Sequence, residues 1–418
     1  MKYEVIVIGG GSAGLMASIA ASKHGSSVLL LDKGEKLGRK LGISGGGRCN
    51  VTNNKDIDEL IKHIPGNGRF LHSSFANFDN KAIISFFENL GIRLKEEDNG
   101  RMFPVTDKAK TVVDTLVNQV LKQGVEIKLN SPVETILYDK QKVAGVRLKS
   151  GEVLSCRAVI VASGGKSVPQ TGSTGDGYPW AEKAGHTITE LFPTEVPLTS
   201  NEPFITSKEL QGLSLRDVSL SVWNPKGKKI IEHQGDMLFT HFGISGPIAL
   251  RCSQFVVKAL KQFQVGNIEV SVDLMPEHSV DEVYTETLKL VERESKKAIK
   301  NILKSCLPEK FIPILLQKSE LSETLTYDNI PKQDWMQLAK LIKRFPIRVY
   351  GTLSIEDAFV TGGGINLKEI DPRTMESKLV DGLYFCGEIL DIHGYTGGYN
   401  ITAAFSTGYT AGMNAVMR

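Results

Sequence analysis

The chain is poor in cysteine, lacks long apolar runs and carries little net charge. Its five cysteines (Cys49, Cys156, Cys252, Cys306 and Cys386) include no C-x-x-C pair. An odd number at wide spacing argues against a disulfide framework and fits reduced thiols in the cytoplasm. No Cys/His cluster has metal-ligand spacing, so no metal is expected. With no run of about 18 apolar residues, no transmembrane helix and no membrane partner are expected. Strand-like residues begin at position 3, which leaves no room for a signal peptide. Fifty Lys and Arg stand against 47 Asp and Glu, and a formal charge of +3 is too small to argue for a nucleic-acid partner. At 418 residues, 41% apolar and 23% charged, the composition is that of a soluble protein of two or three domains. A cytoplasmic enzyme acting on a small-molecule substrate is the expectation.

Glycine is what the chain has in abundance, with 41 residues. The run Tyr3–Ile8 reads as a strand and feeds into Gly9-Gly10-Gly11-Ser12-Ala13-Gly14. Leu15 to His24 then reads as a helix, and a second strand, Val28–Leu31, ends on Asp32. Gly9, Gly11 and Gly14 have the G-x-G-x-x-G spacing of a dinucleotide-binding turn. Gly9 permits the tight turn, Gly11 keeps the backbone open to a pyrophosphate, and Gly14 lets helix and strand pack closely. The positive end of the helix dipole then faces the phosphates, and Asp32 can accept hydrogen bonds from the adenosine ribose.

Strand and helix patterns alternate to about Leu191, with strands over Val125–Leu129, Val143–Leu148 and Ala158–Ala162, the last within a segment, Val153–Gly165, that reads as a buried strand ending in a small-residue turn. Between Phe192 and Arg344 the pattern changes. Leu215–Trp223 and Lys229–Thr240 alternate as antiparallel strands about the turn Asn224-Pro225-Lys226-Gly227, and Ile268–Leu274 adds another. Helical periodicity covers Val280–Leu307 and Lys332–Arg344. From Val349 strands and glycines return, ending in a small-residue helix over Ile401–Met417. The fold expected is α/β: a Rossmann-like domain from residues 1–191 and 345–418, split by a β-rich and helical substrate-side insertion at 192–344.

Two further glycine clusters point to a long, two-ended cofactor. In Ser44-Gly45-Gly46-Gly47-Arg48-Cys49-Asn50 the glycines expose backbone N–H groups, and Ser44, Arg48 and Asn50 add donors. Near the other end, Cys386-Gly387-Glu388 offers a carboxylate for a ribityl or ribose hydroxyl. Gly397-Gly398-Tyr399-Asn400-Ile401 opens a helix whose N–H groups can face a flavin's carbonyl edge. FAD needs contacts at both of its ends, whereas a nicotinamide cofactor would not need the C-terminal set.

These motifs, with Val161-Ala162-Ser163-Gly164-Gly165, resemble those of two-dinucleotide-binding-domain flavoproteins. Thr171-Gly172-Ser173-Thr174-Gly175-Asp176-Gly177 resembles the T-G-D-G stretch of the fumarate reductase and ketosteroid dehydrogenase group. Ser44–Asn50, His241-Phe242-Gly243-Ile244-Ser245-Gly246-Pro247, Thr361-Gly362-Gly363-Gly364 and Gly397–Asn400 are similar to a bacterial family of NAD(P)/FAD-dependent, aminoacetone oxidase-like proteins that includes bile-acid ring reductases. That resemblance spans the chain. It implies FAD, a split FAD domain, and an inserted β-barrel-like subdomain with a helical one.

The cofactor shell expected on these grounds comprises Gly9, Gly11, Ser12, Ala13, Gly14, Asp32, Lys33, Arg39, Lys40, Ser44, Gly45, Gly46, Arg48, Cys49, Asn50, Val133, Ala162, Ser163, Gly164, Gly165, Asp176, Gly387, Glu388, Gly398, Tyr399, Asn400 and Ile401. No second complete G-x-G-x-x-G is present, so NAD(P)H is expected only as a visiting co-substrate. Candidate reacting groups are His241 and His393, as proton donors in glycine-rich turns, and Cys49. Beside Arg48 the thiol can ionise; the alternative is a small residue packing on the flavin. The expected chemistry is flavin-mediated hydride transfer, favouring reduction of an activated C=C bond in an enone. Amine oxidation and flavin-dependent RNA modification are the alternatives, the last opposed by the balanced charge.

Overall fold

In the computed structural model residues 2–23, 25–326 and 329–417 are described. The chain divides into two compact units, Met1–Phe192 with Ile355–Arg418, and Pro193–Ser354.

The first unit is built on a five-stranded parallel sheet. In chain order its strands are β1 (Val5–Ile8), β2 (Val28–Leu31), β3 (Glu126–Lys128), β4 (Ala158–Val161) and β5 (Leu383–Phe385). Their spatial order is β5-β4-β1-β2-β3. β1, β2 and β4 are buried along their whole length, as expected of a parallel sheet covered on both faces. The first helix, α1 (Ser12–Ser22), starts three residues earlier than its apolar run, because Gly11 already acts as its N-cap; His24 lies outside the described residues. α2 (Ala109–Lys122) is amphipathic and buries Val112, Leu116 and Val120.

The C-terminal helix, α3 (Tyr399–Ala415), is buried along most of its length and lies on α1. A Cβ at Gly408 would collide with the Ala13 carbonyl, and one at Gly412 with that of Ala17. These small residues bring the two backbones together, which joins the two ends of the sequence in one unit. The strand expected over Ala158–Ala162 is present as β4, whereas the start of the buried segment, from Val153, forms a separate strand. Val153–Ser155 edges a three-stranded antiparallel sheet. The chain then turns at Cys156–Arg157, where the Arg157 and Ala158 N–H groups both donate to the Glu4 carbonyl.

The second unit holds a seven-stranded antiparallel sheet ordered 345–349, 268–273, 214–223, 229–239, 243–245, 198–199, 351–352. Only Tyr350 separates its two edge strands in sequence, so the sheet curls on itself in a barrel-like manner. Helix Pro247–Phe263 packs against it. Phe204, Phe239, Phe311, Phe345 and Trp335 anchor one core shared by sheet and helices. Residues 345–354, expected to belong with the glycine-rich C-terminal part, pair into this sheet: Phe345–Val349 with Ile268–Val272, and Gly351–Thr352 with Leu198–Thr199. The helix expected over Val280–Leu307 breaks at Glu294 (φ −126°, ψ 37°) and resumes at Ile299–Leu303.

Candidate functional site

The turn after β1 assigns a distinct task to each of its glycines. Gly9 has φ +104°, and a Cβ there would stand 2.5 Å from the Ala162 carbonyl oxygen. A Cβ at Gly14 would collide with the Gly9 carbonyl, while one at Gly11 would meet nothing within 4 Å. Gly9 and Gly14 are therefore required by the fold, and the space over Gly11 is left for something else. Ser12 and Ala13 begin α1 beside it, and Ala13 stands where a Cβ on Gly387 (φ +76°) would press at 2.7 Å.

Asp32 ends β2 with its carboxylate turned back on the turn. Oδ2 accepts from the Gly10 N–H at 2.8 Å and Oδ1 from the Gly34 N–H at 2.7 Å. Arg39 reaches it at 3.6 Å and lies against Gly34 and Gly172, where side chains would collide with its guanidinium. Lys33 pairs with Asp176. Asn130 and Ser131 donate backbone N–H groups to the Gly34 and Asp32 carbonyls, so Val133, two residues on, borders the same end.

Lys40 and Glu388, far apart in sequence, meet at 2.7 Å. Ser167 Oγ donates to Glu388 Oε1 at 2.9 Å, the Thr361 N–H donates to the same oxygen at 2.8 Å, and Lys40 also donates to Ser167 Oγ. Gly165 lies beneath this cluster: a Cβ there would crowd Thr361 and stand 3.3 Å from the Glu388 carboxyl carbon. Gly164, at φ +75°, faces Ser173 Oγ. Ser163 Oγ is buried with no hydrogen-bond partner, next to the Gly9 turn.

The other two glycine clusters come together in this unit. Gly45, Gly46 and Gly47 all have positive φ, and the positions of Cβ atoms on Gly46 and Gly47 are open. Gly398 (φ +95°) caps α3, and a Cβ on it would stand 3.0 Å from Asn50 Oδ1 and 2.7 Å from the Thr52 backbone. Asn53 Nδ2 donates to the Gly397 carbonyl at 3.1 Å. Asn50 Oδ1 is buried and accepts no hydrogen bond. Ser44 Oγ is turned inward onto the Leu41 carbonyl at 2.7 Å.

Several expected donors are spent inside the protein. Arg48 is held by Glu97 and Asp107 and covers the Phe103 ring at 4.3 Å, an arrangement that raises its pKa. Asn400 closes the preceding loop, accepting from the Gly394 N–H at 2.7 Å and donating to the Gly394 carbonyl at 2.8 Å. Tyr399 is buried and Ile401 half-buried at the helix start. Cys49 sits at φ +61° and is fully buried; burial pushes its thiol up to about 12, so it is protonated at neutral pH. His393 is buried edge-on to Phe192 and against Gly66, where any side chain would strike its ring. His241 lies in the second unit, exposed, edge-on to Phe242 at 5.0 Å.

Sequence reading missed Lys55 and His63. His63 caps the helix Ile57–Lys62 and stacks on Tyr399 (4.8 Å, 17°), with Tyr395 edge-on at 6.3 Å. Its Nε2 lies 3.2 Å from Lys55 Nζ. No motif marks either residue; only the fold brings them to Tyr399. Among the described residues no group of three metal-ligating side chains occurs, and no helix is long and apolar enough to cross a membrane.

A parallel sheet, a turn open over Gly11, an acid at the end of the second strand and a glycine-capped C-terminal helix define a dinucleotide-binding protein of the Rossmann type. The sequence matches the family described as HI0933-like protein Rossmann domain over residues 3–414. The chain belongs to that family, and with it to the FAD-dependent oxidoreductases. It is 33% identical over 414 residues to the ribosomal RNA dihydrouridine synthase of Haemophilus influenzae, covering 98% of both chains. It is 30% identical to the 3-dehydro-bile acid delta(4,6)-reductase of Clostridium scindens, covering 99% of this chain and 98% of the other. The fold is also that of a flavocytochrome c3 fumarate reductase (TM-score 0.52, 20% identity, 99% of this chain and 78% of that one).

Proposed function

We propose that this protein uses FAD to reduce a C=C bond conjugated to a carbonyl, and that its substrate is a uracil ring in ribosomal RNA. The supporting observation is the kind of reaction named for its two relatives. A dihydrouridine synthase saturates the C5=C6 bond of uracil, which is conjugated to the C4 carbonyl. A delta(4,6)-reductase saturates a dienone. Each name describes reduction of a C=C bond conjugated with a carbonyl, on chains that match this one along nearly their whole length. Neither name describes amine oxidation. The balanced net charge does not oppose RNA, since it averages over the chain whereas a single extruded base is recognised by a local pocket.

The residues fit FAD. The open space over Gly11 suits a pyrophosphate at the α1 N-terminus. Asp32 and the segment leading to Val133 suit the adenosine end. Lys40 and Glu388, with Gly164 and Gly165, suit the middle of the cofactor. The unpartnered Asn50 Oδ1 and the open Gly46 suit the polar edge of the ring, opposite Gly398 and the start of α3. Bound there, the flavin supplies the two electrons as hydride. The chain contributes the α3 N-terminus, which favours negative charge on the ring's carbonyl edge. NAD(P)H is the proposed reductant, and residues 193–354 the proposed substrate-recognition region. Anaerobic reduction by NADH or NADPH, followed by addition of unmodified ribosomal RNA or a small enone, tests the reading. Reoxidation of the flavin by RNA is expected. Reoxidation by the enone alone shifts the substrate to the bile-acid type, and reoxidation by neither defeats the reading.

A further inference from the structure

The Lys55 ammonium and the His63 imidazole form a hydrogen-bonded pair that the cofactor reading leaves unused. The Glu59 carbonyl lies 2.7 Å from His63 Nδ1, and a carbonyl only accepts, so Nδ1 carries the ring proton. Nε2 is then the bare nitrogen, and it accepts from the Lys55 ammonium. That ammonium has three N–H groups, and among the described residues it makes no ion pair with a carboxylate. The acids nearby are engaged: Glu59 is bound to Lys62 at 2.6 Å, and Asp56 caps the helix through the Glu59 N–H at 2.8 Å.

Both side chains are half-buried and reach solvent, and both are tightly placed. Asn80, itself buried, donates to the carbonyls of Asn53 and Lys55 at 2.7 and 2.8 Å. The Tyr395 N–H donates to the His63 carbonyl at 3.0 Å. His63 lies flat on Tyr399, the first residue of α3, so the pair stands at the end of the unit where the Gly46 and Gly398 clusters meet.

We propose that Lys55 and His63 form an anchor for a phosphate ester of an incoming nucleotide. Phosphate oxygens accept from the Lys55 N–H groups, and His63, taking up a proton on Nε2, exchanges its acceptor bond from Lys55 for a donor bond to the phosphate. A proton on Nε2 sets a second positive charge 3.2 Å from the Lys55 ammonium, which is unfavourable; a phosphate anion between them offsets that repulsion. Lys55, Glu59, Tyr395 and Tyr399 all face the His63 ring. Two nucleotides fit the same chemistry: the RNA backbone beside the target uridine, and a nicotinamide dinucleotide. The RNA arm rests on the reading above; the anchor itself does not.

The first test uses inorganic phosphate as the probe on the FAD-loaded protein, following the His63 imidazole by NMR. Phosphate is expected to shift the His63 signals and raise its titration midpoint in the wild type but not in Lys55→Met. Identical behaviour of wild type and variant overturns the anchor. In the loaded enzyme, Lys55→Met is expected to raise KM at least about 5-fold for its nucleotide with kcat little changed, and Lys55→Arg to restore it, in keeping with a charge-assisted contact that binds equally in ground and transition states. A raised KM for RNA assigns the backbone, and a raised KM for NADH or NADPH in flavin reduction assigns the dinucleotide. No change in either overturns the proposal, and this holds even if RNA is not the substrate, because flavin reduction is measured without it.

Discussion

At Gly11 the fold and the cofactor make separable demands. A side chain there meets nothing in the protein, whereas at Gly9 and Gly14 it meets backbone. Gly11→Val is therefore expected to leave the stability of the cofactor-free protein within about 0.5 kcal/mol. FAD affinity should fall at least tenfold, or about 1.4 kcal/mol. Calorimetric unfolding and flavin fluorescence titration read the two effects, and equal FAD affinity would remove the pyrophosphate from this turn. His186 offers a second test. Its ring is buried between Glu369 Oε2 (3.1 Å) and Ser377 Oγ (2.8 Å), and burial lowers its pKa despite the carboxylate. A depressed folded pKa means the unfolded chain binds the proton first, so this contribution is present above about pH 6.5 and is lost as pH falls. His186→Gln should flatten the decline in unfolding free energy between about pH 6.5 and 5, by at most about 1.4 kcal/mol per pH unit. The tasks of Gly9, Gly11 and Gly14 were legible in sequence because a turn is local. The engagement of Arg48 by Glu97 and Asp107, and of Glu388 by Lys40, was not, because those partners lie 49 to 348 positions away.

Among the elements, the crossing of α1 and α3 does most to unite the two ends of the chain. Gly412→Val would drive a branched side chain into the Ala17 backbone and the Ala20 side chain. A loss of about 1–3 kcal/mol is expected, read as a lower urea midpoint at unchanged slope. An unaltered midpoint would mean the helices are not in contact there. The strands and helices themselves followed hydrophobic period: β2 spans the residues its apolar run marks, and Lys229–Phe239 falls one residue short of its alternating stretch. Register and partnership did not follow it. Nothing in Phe345–Val349 alone says that it will pair with Ile268–Val272, and the apolar residues from Val291 to Ile299 keep a helical rhythm across a break at Glu294.

For the whole molecule, family and fold agree on an FAD-dependent oxidoreductase. The chemistry proposed for it is one in which uracil and a conjugated ketone are variants of one electrophile. The class of reaction was legible because glycine-rich turns advertise a dinucleotide. The substrate was not, since substrate recognition depends on a pocket assembled from distant segments, while net charge averages over 418 residues. The most direct test incubates the FAD-loaded protein with NADPH and ribosomal RNA lacking dihydrouridine, then digests the RNA to nucleosides for mass spectrometry. The expected result is one uridine per RNA gaining two hydrogen atoms, dependent on both flavin and reductant and absent with Gly11→Val. Ribosomal RNA that emerges unaltered, under conditions where NADPH reduces the flavin and a conjugated ketone reoxidises it, would contradict RNA as the substrate.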